Sequence, residues 1–132
     1  MPRNALSAYQ DIEKATLSGR ELEASVLMRA ALALAAVKEN WDVTNRDEQL
    51  DTALRNNQRI WTLFQSELVE PGNPLPVEIR RNILSLSIFV DRRTFEIMAK
   101  PAPEKLDILI AINRNIAAGL RGSPTVVGQA AA

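Results

Sequence analysis

The sequence predicts an all-α protein that folds as a single five-helix bundle with a disordered C-terminal tail. Apolar residues recur every three to four positions in long segments, and no segment alternates like a half-buried strand. Clusters of proline, glycine and asparagine separate these segments. The 132 residues suit one domain. The predicted helices cover residues 4–17, 19–40, 46–69, 76–99 and 103–119, within a bundle spanning 1–121 and followed by a tail spanning 122–132.

Segment 46–69 organises the predicted bundle. Its apolar residues fall within about 100° of helical arc, which is typical of a helix that packs on a core. Asn57 lies near the middle of this stripe, where an amide is costly unless it is hydrogen-bonded. Asn57 and Trp61 are therefore either core residues that fix the helix register or contacts to a partner. The stripe consists of Leu50, Ala53, Leu54, Trp61, Phe64 and Leu68.

Two predicted helices come before this segment. Ser18 and Glu21 form a capping-box pattern, which predicts that a new helix begins at residue 19. Between Ala24 and Val37 the only ionisable residue is Arg29. A helix that is apolar on all sides is either central or covers a partner site.

Further signals set the other boundaries. Asn45 and Glu48 form a second capping pair at the start of segment 46–69. Three prolines and a glycine within 70–76 predict a turn, with Pro76 at the first helical position of the next helix. The last helix opens at Pro103, carries Asn113 at the centre of its stripe, and is expected to close at Gly119 as a left-handed cap.

Segment 76–99 carries two apolar stripes instead of one, so we expect neighbours on both of its sides. A vacancy in such packing would create a groove for a foreign helix. One stripe contains Val77, Leu84, Ile88 and Phe95, and the other contains Ile79, Ile83, Leu86, Val90 and Ile97.

Composition excludes several classes of function. Sixteen basic residues balance sixteen acidic ones, which is unlike a nucleic-acid-binding protein, and the chain lacks histidine and cysteine. No phosphate-binding loop, catalytic triad or metal-ligand cluster is apparent. We therefore expect a protein without enzymatic activity, cofactor, metal or small-molecule ligand. The N-terminus is unlike a signal peptide, and the apolar run Ala30–Val37 is too short to span a bilayer, so a cytoplasmic protein is expected.

The candidate sites are therefore surfaces for a protein partner. Arg80–Arg81 and Arg92–Arg93 resemble phosphate-gripping pairs, but acidic residues on the same helix match them, so ordinary surface charge is the better interpretation. The candidate partner-binding residues are Asn57, Trp61, Phe64, Arg80, Leu84, Ile88 and Phe95.

Three stretches in series, Ala53–Trp61, Asn73–Pro76 and Arg80–Val90, resemble the FlaF family of alphaproteobacterial flagellar biosynthesis regulators. The resemblance covers about residues 5–121, with supporting pieces at Gly19–Glu23 and Leu109–Asn113. A small departure is Ser85-Leu86-Ser87, where the family has a longer Asn-Leu type of run.

The resemblance implies a cytoplasmic, non-enzymatic protein that is needed for flagellin production and export. Members of the family are understood as flagellin-binding secretion chaperones that are linked to a companion translational regulator, FlbT. We expect the chain to bind a helical terminal segment of flagellin, 1:1, in an apolar groove against 46–69 and 76–99.

Two alternatives remain open. An RNA-binding regulator would act on flagellin mRNA through its arginines, although the zero net charge argues against it. An adaptor would bind FlbT and never flagellin.

Overall fold

Four α-helices make up the part of the chain that the structure describes, and that part contains no strand. The computed structural model describes residues 5–122, with side chains from residue 19 onward. The helices are α1 (Ala5–Glu39), α2 (Arg46–Leu68), α3 (Val77–Ala99) and α4 (Asp107–Arg121), with a 3₁₀ turn, Pro103–Leu106, before α4. The all-α class is confirmed, and the number of five helices is wrong. Beyond Gly122, the predicted tail lies outside the described residues.

The first two predicted helices are one continuous helix of 35 residues, α1. The backbone continues through Ser18 and Gly19 in helical conformation, so the capping-box prediction is wrong. A capping pattern marks only a possible start. Extending an existing helix avoids the unfavourable step of nucleating another, and this outweighs the roughly 1 kcal/mol cost of one interior glycine.

The start of α2 was predicted at the right residue but for the wrong reason. Asn45 is the residue before the first turn, yet its side chain makes no hydrogen bond to a free backbone N–H of the helix. Instead, its Oδ1 accepts a hydrogen bond from Nε2 of Gln49 at 3.0 Å. The predicted capping pair with Glu48 is therefore wrong.

The end of α4 also differs from the prediction. Gly119 lies inside the helix, and no glycine among the described residues has a positive φ. The helix continues to Arg121, where the N–H of Gly122 donates to the carbonyl of Ala118 at 2.7 Å. The left-handed cap at Gly119 is wrong because Leu120 still packs against the core and thereby favours two further helical residues.

α1 is the central helix of the bundle, as its apolar sequence predicted. α2 and α4 both pack against α1, whereas α3 packs mainly on α2. Alanines along α1 allow the neighbouring helices to approach closely. The described helices include none that is both long and apolar enough to cross a membrane. The fully buried apolar side chains include Leu27 and Leu34 of α1, Leu54 and Trp61 of α2, Val90 and Ile97 of α3, and Leu109 of α4.

A buried polar network ties three helices together. Nε1 of Trp61 donates to Oδ1 of Asn113 at 2.9 Å, and Nδ2 of Asn113 donates to Oδ1 of Asn57 at 2.7 Å. The same Nδ2 lies 3.4 Å from the carbonyl oxygen of Leu27. The prediction that Asn57 and Asn113 are buried is confirmed, and the network fixes the register of α2 and α4 against α1.

Candidate partner-binding surfaces

An apolar groove runs between α3 and α4 at the end of the bundle where α4 finishes. It comprises two adjoining cavities of about 240 and 180 Å³. Its walls are mostly half-buried aliphatic side chains, so they are accessible without unfolding. We call this surface the α3–α4 groove and define it by Leu75, Ile79, Ile83, Leu86, Ile116 and Leu120.

The turn between α2 and α3, which the sequence predicted at 70–76, forms one end of the groove. Asn73 fixes the turn with its side chain. Its Nδ2 donates to the carbonyl of Glu67 at 3.1 Å, and its Oδ1 accepts from the N–H of Leu75 at 3.0 Å. Pro76, predicted at the first helical position, instead lies just before α3 with extended backbone, and Val77 is the first helical residue. The turn thereby holds Leu75 at the edge of the groove.

Two carboxyl groups meet where the α3–α4 groove reaches α1 and α2. Glu23 of α1 and Glu67 of α2 both line the smaller cavity, together with Arg20. Partial burial, and next the hydrogen bond and charge of Glu67, raise the pKa of Glu23 to about 7, while Arg20 opposes this shift. The carboxyl of Glu23 is therefore partly protonated near neutral pH.

The opposite side of α3 carries an exposed apolar stripe. Val77 is 52% exposed, Ile88 61% and Phe95 60%, and Leu84 is half-buried. We call these four residues the outer stripe. The second predicted stripe, which contains Ile83, Val90 and Ile97, packs in the core, and of the outer stripe Leu84 packs partly against it. The prediction that α3 has neighbours on both sides is therefore wrong for a single chain, because no described helix covers the outer stripe.

The seven predicted partner-binding residues fall into three environments. Asn57 and Trp61 are fully buried in the polar network, so a partner cannot reach them while the bundle is folded. Phe64 is half-buried at the end of the groove, with its ring centroid 5.9 Å from that of Trp61. The other four, Arg80, Leu84, Ile88 and Phe95, lie on α3 but not in the groove.

Sequence reasoning did not single out the residues that line the groove. Ile79 and Leu86 belong to the second predicted stripe of segment 76–99, and Ile116 and Leu120 recur at ordinary helical spacing on α4. Their periodicity is the same whether a neighbouring helix covers them or not. The groove becomes visible only in the three-dimensional structure. It forms because α3 packs mainly on α2 and α4 mainly on α1, which leaves a gap between α3 and α4.

Several arginines are already paired with carboxylates. Nε of Arg55 lies 2.9 Å from Oδ2 of Asp51, and Nε of Arg121 lies 3.2 Å from Oε2 of Glu21. Arg93 lies 3.7 Å from Glu96. These pairs reduce the positive charge available to a polyanion. Among the described residues, no three His, Cys, Asp or Glu side chains cluster as a metal site.

These features define the class of protein: a small α-helical bundle with an apolar interhelical groove and an exposed apolar helix face. The chain belongs to the FlaF family, described as flagellar protein FlaF, which it matches over residues 5–120. Family membership supports a role in flagellar biosynthesis. Neither the curated proteins nor the solved structures include a match to the chain.

Proposed function

We propose that this protein is a non-enzymatic, flagellin-binding secretion chaperone that also regulates flagellin synthesis. The α3–α4 groove is the observation that carries this proposal. It would shield the apolar face of a helical terminal segment of flagellin in the cytoplasm, before export. Such a segment, left exposed, would aggregate or polymerise.

The groove has the chemistry that an amphipathic helix needs. Its walls are aliphatic, with Ile79 and Leu86 on α3 facing Ile116 and Leu120 on α4. Charged side chains lie at its edge: Arg20 borders both cavities, and Glu23 and Glu67 border the smaller one. Seating one helix face typically buries about 1,200–2,000 Å² in total, enough for sub-micromolar binding after the cost of association. Of the two helices predicted to hold flagellin, α3 forms one wall, whereas α2 contributes Phe64, Glu67 and Leu68 at one end.

Calorimetric titration with purified flagellin, and with flagellin lacking each terminal segment, tests the proposal. We expect one flagellin per chain and loss of binding when one segment is deleted. Because apolar contacts dominate, affinity should change little between roughly 50 and 300 mM salt.

Matched variants locate the binding surface. Ile79→Glu places a charge in the groove and should weaken binding about tenfold or more. Leu63→Glu changes a side chain of α2 that is 62% exposed and lies outside the groove, so affinity should be retained. Circular dichroism of both variants serves as the check that they remain folded.

Two outcomes would support another function. Absence of binding to any flagellin, together with tight and salt-sensitive binding of flagellin mRNA, would favour the RNA-binding regulator. Binding of FlbT alone would favour the adaptor.

A further inference from the structure

We propose that the outer stripe of α3 binds a second copy of this chain, so that two α3 helices pack antiparallel about a two-fold axis. The arrangement of charges along α3 carries this inference. It goes beyond the proposed function and does not depend on it.

Two charged residues, Arg81 and Asp91, lie on the same line along α3 as the four residues of the outer stripe. Counting from Val77 in steps of four, three, four, three and four residues gives one continuous line along the helix, which is the spacing of a coiled-coil seam. Among the described residues, neither Arg81 nor Asp91 forms an ion pair, although Oδ2 of Asp91 accepts from Gln65 at 3.3 Å. The line contains Val77, Arg81, Leu84, Ile88, Asp91 and Phe95.

This line of residues is self-complementary when it is read in the opposite direction. In an antiparallel pair centred on residue 86, Val77 lies opposite Phe95 of the second copy, and Leu84 lies opposite Ile88. Arg81 then lies opposite Asp91, and the two-fold axis repeats this ion pair. Each pair of opposing residues therefore consists of either two apolar side chains or two opposite charges.

A parallel pair of α3 helices lacks this match. Arg81 would face Arg81 and Asp91 would face Asp91, and both like-charge contacts are unfavourable. The charges therefore select the antiparallel orientation as well as the register.

The geometry leaves the α3–α4 groove open. At 100° per residue, Ile79 and Leu86 lie about 160–180° around α3 from the outer stripe. The seam from 77 to 95 is about 27 Å long, and two helices meeting over that length bury on the order of 1,000 Å². This area is at the low end for specific complexes, so a dimer with micromolar affinity is expected.

Sedimentation velocity over about 1–200 µM tests the association. The wild-type chain should convert from monomer to dimer within this range. Arg81→Asp should weaken the dimer about tenfold, and so should Asp91→Arg, whereas the double variant Arg81→Asp with Asp91→Arg should restore it. Ile88→Glu should abolish the dimer, while Leu63→Glu, on α2, should leave it unchanged.

Cysteine cross-linking tests the orientation, because the natural chain has no cysteine. A mixture of Val77→Cys and Phe95→Cys chains should form mixed disulfides under oxidation. Val77→Cys alone should not, since its two copies lie about 27 Å apart.

Three results would overturn the proposal. The wild-type chain could remain monomeric at 200 µM, the charge exchange could fail to restore association, or Val77→Cys alone could cross-link. If Ile88→Glu lowered flagellin affinity in a monomeric protein, the outer stripe would be a flagellin surface and the proposed function would stand without the dimer.

Discussion

Nδ2 of Asn113 donates to Oδ1 of Asn57 at 2.7 Å, although the two residues are 56 positions apart. Trp61 determines the direction of this bond. Its indole N–H only donates, so the oxygen of Asn113 faces Trp61 and the amide nitrogen faces Asn57. Nδ2 of Asn57 is left buried without a partner. The indole N–H of Trp61 therefore fixes the orientation of the Asn113 amide. We expect the three side chains to stabilise the fold jointly and not independently.

Replacing Asn113, the central residue of the network, should show whether Trp61, Asn113 and Asn57 contribute to stability jointly. Asn113→Leu leaves both Nε1 of Trp61 and Oδ1 of Asn57 buried without a partner, which should lower the free energy of unfolding by about 2–4 kcal/mol. In a Trp61→Phe background the same change should cost about 0.5–3 kcal/mol less. Urea unfolding of the four proteins measures the difference. Additive effects of the two changes would show that the residues act independently.

Asn57→Asp should be strongly destabilising. It places a carboxylate at a fully buried position with no cation among its hydrogen-bond partners, at a cost of about 2–4 kcal/mol. Asn57→Leu should lower the free energy of unfolding by less than Asn57→Asp, because it removes the unpaired Nδ2. Asn56→Asp, at the exposed neighbouring position, is the matched control. An unchanged denaturant midpoint for Asn57→Asp would mean that the side chain faces solvent.

Gly19 tests the continuity of α1. A Cβ added there meets no atom within 4 Å, so Gly19→Ala should stabilise the protein by about 0.5–1 kcal/mol. Gly19→Pro should destabilise it by about 3 kcal/mol, since proline in a helix interior removes a hydrogen bond and clashes with the preceding turn. If a new helix began at residue 19, proline would be tolerated. Thermal unfolding followed by circular dichroism distinguishes the two cases.

The Glu23–Glu67 pair predicts a dependence of stability on pH. Burial and Glu67 raise the pKa of Glu23 from 4.5 in the unfolded chain to about 7. The folded state therefore binds more protons between these values, and this contribution to stability is present at low pH and lost as pH rises from about 4.5 to 7. The effect should be modest because Glu23 is only partly buried.

Glu23→Gln should flatten this part of the stability profile, as measured by urea unfolding at several pH values. Glu39→Gln, at an exposed position near the end of α1, should leave the profile unchanged. If the stability of Glu23→Gln depended on pH in the same way as that of the wild type, Glu23 would not be the source of the pH dependence.

Periodicity predicted the all-helical class and the inward-facing side of α2 well. The stripe from Leu50 to Leu68 and the burial of Asn57 follow from residue spacing alone, because the inner face of a surface helix is set by one period. Helix termini were predicted less well. At Ser18 and Gly119 the same residues suit either a boundary or an uninterrupted helix, and packing of the flanking segments decides between them.

The two apolar surfaces were beyond sequence reasoning for a different reason. The spacing of Ile88 and Phe95 shows that these two residues lie on one face of α3. The spacing of Ile79 and Leu86 shows that they lie together on another face. Spacing does not reveal which face a neighbouring helix covers. That depends on the order in which four helices pack, and here α3 lies at the edge of the bundle.

The position of α1 between α2 and α4 has a consequence for synthesis on the ribosome. α1 emerges before α4, but its contacts with α4 join residues that are far apart in sequence, such as Ser25 and Arg121 at a separation of 96 positions. Non-local contacts of this kind form late. Until α4 emerges, Leu27 and Leu34 lack one side of their packing, and Trp61 lacks its acceptor. The nascent chain therefore completes this core only after α4 has emerged from the ribosome.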